Sequence, residues 1–308
     1  MTQGSSVPLA RSKFRGLSLT DLMMLVMVLI WGFNYSFIKL SLREIPPFTF
    51  NVLRFSLATL LMLLILRLRG ETLAIARRDW PAVILLALAG HGIYQLFFIT
   101  GLSLTTAANS ALLLASMPIF VAIYSHFFKI ERANGLVWAG IGLSFLGIIL
   151  LMLGGGKTIS LSGAHLAGDL LTLVAAMLWG AYSTISKPLL VRYSPVKLTA
   201  LQMTIGTPIL VAVGLPGLLS QDWRPITAVA WGGAFYSAVL ATVVAYVFWS
   251  IGIQRTGSAR TAVYSNLTPI AAALAAWLIL GDRMQPAQAL GAAVVVCGLI
   301  LTRRGRTR

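Results

Sequence analysis

Trp31, Asn34, Tyr35 and Lys39 recur at intervals of one helical turn or less, which stacks them along one face of a helix. The stretch around them is apolar, and an amide and a phenol there leave donors and acceptors unsatisfied unless they meet another helix or a water-filled cavity. Two chemistries fit: hydrogen bonding between helices, or recognition of a small solute by ring faces with polar groups at their edges. Lys39, at the end of the run, reads as a cation that snorkels to the interface. The pattern returns at Trp179, Tyr182 and Ser183. His91, Tyr94 and Gln95, followed by Phe98, form another polar-aromatic stripe, and Tyr246 with Trp249 a further one. Tyr264, Asn266, Asn109 and Ser116 dot two more apolar runs. Rings of this kind pack an aliphatic or aromatic group while hydroxyls and amides orient its polar end, or they simply pack against each other. The candidate binding set is therefore Trp31, Asn34, Tyr35, His91, Tyr94, Gln95, Trp179, Tyr182, Ser183, Tyr246 and Tyr264. His91 alone among the mid-run groups has a reference pKa near neutrality, about 6.5, which suits either a coupling proton or a neutral hydrogen-bonded ring.

Arg54 lies within an apolar run, where a central arginine costs about 2.5 to 3.5 kcal/mol on insertion scales. It either pairs with a solute carboxylate or sits near the outer end of its helix and snorkels. The second reading is favoured because Gln202 holds the matching place in the second half of the chain. Pro118 and Pro269 are matched prolines inside apolar runs; each frees a carbonyl and kinks its helix, as a hinge or as a fixed bend. Glycines 135, 140, 142, 147, 291 and 298 permit close approach of helices. Asp21 and Asp169 sit where helices begin and complement the helix dipole.

Other chemistry is excluded. The three histidines and the lone Cys297 have no metal-ligand or disulfide spacing. Gly156-Lys157-Thr158 ends like a phosphate-binding loop, but Leu151 stands where that loop needs glycine. No G-x-S-x-G elbow or serine-histidine arrangement is present, and every acid lies near a run end or in a loop. The sequence thus predicts no enzyme, no catalytic residue, no cofactor and no metal.

The elements that hold these residues follow from composition. With 58% hydrophobic residues, 10% charged residues and a mean hydropathy of +0.86, the 308-residue chain cannot cover a solvated surface. A spanning helix needs about 20 mostly apolar residues. That length predicts about ten spans, at 19–40, 47–67, 80–101, 106–127, 135–154, 166–187, 196–219, 229–252, 259–280 and 286–302. The run after Arg15 is too long for a cleaved signal peptide and reads as the first span. Basic residues concentrate in both tails, at 67–78, around Glu131, at 187–197 and at 255–260. Only Lys39, Arg43, Lys157, Arg224 and Arg283 fall on the other side, so both termini are expected in the cytoplasm. The net charge of +16 thus reports orientation rather than nucleic acid.

The chain also repeats itself. A shift of 148 residues superposes Trp31-Gly32 on Trp179-Gly180, Lys39 on Lys187 and Pro47 on Pro195. A shift of 151 superposes Gly101 on Gly252, Pro118-Ile119 on Pro269-Ile270 and Glu131-Arg132 on Asp282-Arg283. Each unit holds an odd number of spans, about five, so the second enters the membrane upside down. Two such halves exchange conformations to give inward-open and outward-open states of similar energy, the signature of a transporter.

The segments LIWGFNYSFIKLSLREIPPFTFNVLRF at 29–55 and MLWGAYSTISKPLLVRYSPVKLTALQM at 177–203 resemble the EamA repeats of the drug/metabolite transporter superfamily. So do GLSLTTAANSALLLASMPIFVAI and GIQRTGSARTAVYSNLTPIAAAL. The resemblance implies an all-α integral membrane protein of ten transmembrane helices arranged as two inverted five-helix EamA repeats. The first four helices of each half would line a central cavity, with the fifth and tenth outside. Its parts would be a cytoplasmic tail at 1–18, a first repeat at 19–155, a linker at 156–165, a second repeat at 166–302 and a tail at 303–308. The superfamily includes exporters of amino acids, among them YddG-type aromatic amino-acid exporters, and carriers of other metabolites and toxic compounds. The expected function is secondary export of amino acids, aromatic or apolar ones included, across a bacterial inner membrane by alternating access, by a monomer or homodimer. Efflux of toxic or lipophilic compounds is the first alternative; an intramembrane enzyme or a non-transporting membrane protein is the second.

Overall fold

The computed structural model describes residues 18–105, 107–130, 134–154, 163–280 and 286–305, leaving out some side chains within its helices. The tail before Ser18, most of the expected linker and the acid-arginine matches at 131–132 and 282–283 lie outside the described residues. Every described regular element is helical.

Helix α1 (Leu19–Ser41) starts at a capping box: the Asp21 amide donates to Ser18 Oγ at 3.2 Å and the Ser18 amide to Asp21 Oδ2 at 2.9 Å. Helix α2 (Pro47–Leu68) opens with proline at its first position, where the missing N–H is not needed. A 3-10 turn (Arg77–Asp79) leads into α3 (Trp80–Ala87), a π-helical segment (Leu88–Gly92) and α4 (Ile93–Leu104). Then come α5 (Ala107–Leu114), α6 (Met117–Phe127) and α7 (Gly135–Gly154). The second half runs α8 (Gly163–Leu190), α9 (Pro195–Ser220), α10 (Ala228–Tyr236), a second π-helical segment (Ser237–Val244) and α11 (Ala245–Thr256). It ends with α12 (Ser258–Tyr264), a 3-10 turn (Ser265–Leu267), α13 (Thr268–Leu280) and α14 (Pro286–Arg304).

Two expected spans are not continuous. The runs at 106–127 and 259–280 are each broken in the middle, immediately before Pro118 and Pro269, which occupy the first turns of α6 and α13. The ring of a proline clashes with the carbonyl four residues earlier, so each helix stops and restarts there. Among the described residues, six continuous helical stretches are long and apolar enough to cross a bilayer: Leu19–Ser41, Pro47–Leu68, Arg77–Leu104, Leu166–Leu190, Pro195–Ser220 and Ala228–Thr256. Their outer faces carry Leu22, Leu29, Leu60, Leu64, Leu170 and Phe235 in the open. That belt is stable against lipid and not against water. The chain is a multi-pass membrane protein.

Equivalent helices of the two halves run antiparallel. On α2 and α9, Thr59 bonds Thr207 at 2.8 Å, while Gly214 abuts Val52 and Gly217 abuts Thr49. On α7 and α14, Gly140 lies against Gly298 and Gly147 against Gly291, so close that a Cβ on Gly147 would stand 2.8 Å from the Gly291 carbonyl oxygen. The two π-helical segments also fall at matching places. The second unit is thus inverted relative to the first, and the axis relating them can be located: it passes where residues meet their own equivalents. Four pairs do so, Trp31 with Trp179, Thr59 with Thr207, Gln95 with Tyr246, and Ser144 with Val295.

Candidate functional site

A cavity lies between the halves. The first half gives it Trp31, Asn34 and Tyr35 from α1, Arg54 from α2, Tyr94, Gln95 and Phe98 from α4, and residues of α5 and α6. The second half adds Trp179, Ala241, Thr242, Tyr246, Ser265 and Thr268, and none of the described side chains of α7 or α14 lines it. These positions fall at mid-helix or toward the face that carries residues 42–46 and 221–227. Toward the opposite face Ser125 of the first half meets Ser258 of the second (3.3 Å), and within the second half Lys187 donates to the Ile253 carbonyl (3.3 Å) and Gln254 to the Leu190 carbonyl (2.7 Å).

Rings form most of the wall. Trp179 stands edge-on to Trp31 at 5.7 Å and to Tyr246 at 5.0 Å, and its ring centroid is 4.8 Å from that of Tyr94. Tyr94 stacks on Phe98 at 5.7 Å, with Tyr35 edge-on to Phe98 at 6.1 Å. Helix geometry sets these rings. The π-helical segment at 237–244 leaves the Ala241 carbonyl to accept from Trp31 Nε1 at 3.0 Å, and Ser237 within it donates to Asn34 Oδ1 at 2.5 Å. A π-helical turn inside an α-helix marks functional positions in many proteins, because it redirects side chains that would otherwise follow the regular spacing.

One polar string crosses the axis. Arg54 Nη2 donates to Gln95 Oε1 at 2.7 Å, and Gln95 Nε2 donates to the Tyr246 hydroxyl at 2.8 Å. Arg54 is only 3% exposed, its guanidinium carbon lies 4.2 Å from the Phe55 ring centroid, and its Nε has no hydrogen-bond partner. It makes no ion pair among the described residues. The expectation that Arg54 snorkels is therefore corrected: Gln95 and two phenylalanine rings hold it inward, at the cavity wall. Trp179 Nε1 and Thr268 Oγ1 are the other buried polar atoms of the wall left without a partner.

Of the residues singled out by sequence, Trp31, Asn34, Tyr35, Tyr94, Gln95, Trp179 and Tyr246 come together at this cavity. His91, Tyr182, Ser183 and Tyr264 are buried elsewhere. His91 lies behind the wall, in the π-helical segment, edge-on to Phe55 and Tyr246, with Nε2 at 3.3 Å from Thr207 Oγ1 and Nδ1 unpartnered. Tyr182 accepts from Gln202 at 3.4 Å, and Ser183 donates to the Trp179 carbonyl of its own helix at 2.8 Å. Tyr264 donates to Asp21 Oδ1, which gives that capping carboxylate a second task. Sequence reasoning passed over Ser265 and Thr268. Only the break before Pro269, which turns those two residues inward, could have pointed to them.

The sequence pattern of the EamA-like transporter family matches this chain twice, over residues 18–153 and 166–304. An uncharacterized transporter of Archaeoglobus fulgidus is 31% identical over 288 residues, covering 92% of this chain and 97% of its own length. A protein of Escherichia coli named a probable amino-acid metabolite efflux pump is 28% identical, covering 90% of this chain and 92% of its own. A crystal structure shares the fold with a TM-score of 0.75 at 20% identity, covering 93% of this chain and 98% of its own. The two sequence relatives carry the names of transporters, not of enzymes. Two copies of the family's pattern, wrapped around one cavity on the axis between them, place the chain in the EamA-like transporter family.

Proposed function

We propose that the protein is a secondary exporter that moves amino acids and similar small metabolites across a bacterial inner membrane by alternating access. In this reading the described helices make ten spans, with α5 and α6 forming one and α12 and α13 another, and both termini are cytoplasmic. The observation that carries it is the position of the cavity. It lies on the axis relating two inverted units and takes its wall from both, so a rocking of one set of helices against the other carries its contents from one face to the other. The proposed contacts are Trp31, Asn34, Tyr35, Tyr94, Gln95, Trp179 and Tyr246, with the breaks before Pro118 and Pro269 as bending points. The name carried by the Escherichia coli relative supports amino acids as cargo. A carrier of lipophilic cations is disfavoured, because the described residues of the wall include a guanidinium and no carboxylate.

Counterflow in proteoliposomes tests this. Trans-stimulated, saturable uptake of a labelled amino acid is the expected result, and a simple non-saturating leak would exclude a carrier. His91 is the proposed proton-coupling group, supported by its unpartnered Nδ1 beside the axis. Replacing it with Gln is expected to abolish dependence on a pH gradient while exchange continues, and unchanged dependence removes His91 from the mechanism.

A further inference from the structure

We infer that Arg54 is a carboxylate seat, and that the cavity selects small apolar monocarboxylates whose amino group is dispensable. The inference rests on the reading of the cavity as the cargo site and goes on to say which part of the cargo it recognises.

A guanidinium presents five N–H donors in a planar fork and does not lose its charge. Among the described residues Arg54 spends that fork on a single side chain, the Gln95 carbonyl, and its Nε has no partner at all. Burying a cation without a counter-charge is costly, and the cost is offset when an anion arrives with oxygens in the plane of the fork. The seat is rigid before any ligand comes. Phe55 and Phe50 flank the guanidinium at 4.2 and 5.8 Å, and Gln95 is fixed in turn by Tyr246. Among the described residues a single cation lines the cavity, so a monoanion neutralises it whereas a dianion such as phosphate leaves an excess.

The rest of the wall bears on the amine. Among the described residues no Asp or Glu lines the cavity, so an ammonium group meets ring faces and the oxygens of Asn34, Ser265 and Thr268, in a chamber that already holds a positive charge. Ring faces attract ammonium modestly, and the guanidinium repels it. An acid without the amine keeps the attraction at Arg54 and escapes the repulsion. The rings of Trp31, Tyr94, Trp179 and Phe98 then take the apolar end.

The test measures binding and transport separately. Purified wild-type protein is titrated with L-phenylalanine, 3-phenylpropanoate, L-phenylalaninamide and phenethylamine, following tryptophan fluorescence, since Trp31 and Trp179 line the cavity. The expected order is 3-phenylpropanoate at least as tight as phenylalanine, with the amide and the amine about tenfold or more weaker, the size of one hydrogen bond to a charged group. Arg54→Gln should erase the preference for acid over amide, and Arg54→Lys should keep part of it; monodisperse elution of both variants shows that they are folded. Phenethylamine binding as tightly as the acids, no acid binding at all, or an unchanged preference in a folded Arg54→Gln variant would each overturn the seat. Counterflow with the same compounds reads the transport proposal independently. Exchange that ignores the carboxylate sinks the seat and leaves the exporter, while carboxylate binding without exchange sinks the exporter and leaves the seat.

Discussion

At the scale of single residues, the cavity wall is held by contacts with little slack. Gly90, in the first π-helical segment, faces the ring of Tyr182, and a Cβ there would come within 2.2 Å of it. Gly90→Ala therefore has to displace a fully buried ring, and overpacking of this kind costs about 1 to 3 kcal/mol. The expected outcome is a lowered thermal unfolding temperature in detergent, with cargo affinity falling as Trp179, 4.8 Å from Tyr182, is pushed along. An unchanged unfolding temperature would show that Tyr182 swings aside freely. Residue types told most of this story in advance. Mid-span amides and phenols cannot face lipid, so seven of the named candidates do meet at one wall. Arg54 was misjudged because a charge in a span satisfies the same sequence pattern whether it snorkels outward or faces a chamber; only the position of Gln95 decides between them. Tyr182 and Ser183 followed from repeat symmetry, but the cavity extends from the axis toward one face and takes only their mates, Asn34 and Tyr35.

At the scale of elements, two acid-capped junctions fasten the ends of helices outside the spans. Thr227 caps α10 and also donates its amide and hydroxyl to Glu44, at 2.7 and 2.8 Å. On the opposite face, Ser194 caps α9 and donates to Glu71, while Arg192 pairs with Asp79 at 2.7 Å. The Thr227 amide and hydroxyl hold the Glu44 carboxyl below the usual range, and the Ser194 hydroxyl, with Arg69, does the same for Glu71. A carboxylate whose folded pKa is depressed adds stability that is present above its unfolded pKa and is lost as pH falls through the folded value. Unfolding temperature is therefore expected to drop as the medium is acidified below the ordinary glutamate range near pH 4.5. Thr227→Ala and Ser194→Ala should each flatten that drop, and loss of the α10 cap in the first should cost about 1 kcal/mol even at neutral pH. An acid limb as steep in both variants as in the wild type would refute the assignment. The broken helices at Pro118 and Pro269 were readable as kinks, because proline's missing donor and its clash are local effects. The π-helical segments were not, since nothing in a run of apolar residues separates a five-residue from a four-residue hydrogen-bond register.

At the scale of the whole molecule, the axis makes a geometric prediction. Thr59 and Thr207 touch across it, so cysteines at both positions, with Cys297 replaced, are expected to form an intrachain disulfide, detected by mass spectrometry after proteolysis. Failure to cross-link in a folded, oxidised sample would contradict the antiparallel packing of α2 on α9. Duplication was legible because Trp-Gly and Pro-Ile pairs keep their order across half the chain; the meeting of repeat mates was not, because a shift along the sequence carries no distance. That meeting has an energetic corollary. Where both partners are alike, as with the two tryptophans and the two threonines, turning the assembly over exchanges one contact for its copy, and neither facing direction gains. Where they differ, as with Gln95 opposite Tyr246 or Arg54 where its mate is Gln202, inversion trades unequal environments. On the proposed alternating-access reading, the resting preference of the molecule for one side of the bilayer is set by its mismatched mates, and restoring the match at those few positions would level the balance between its two sides.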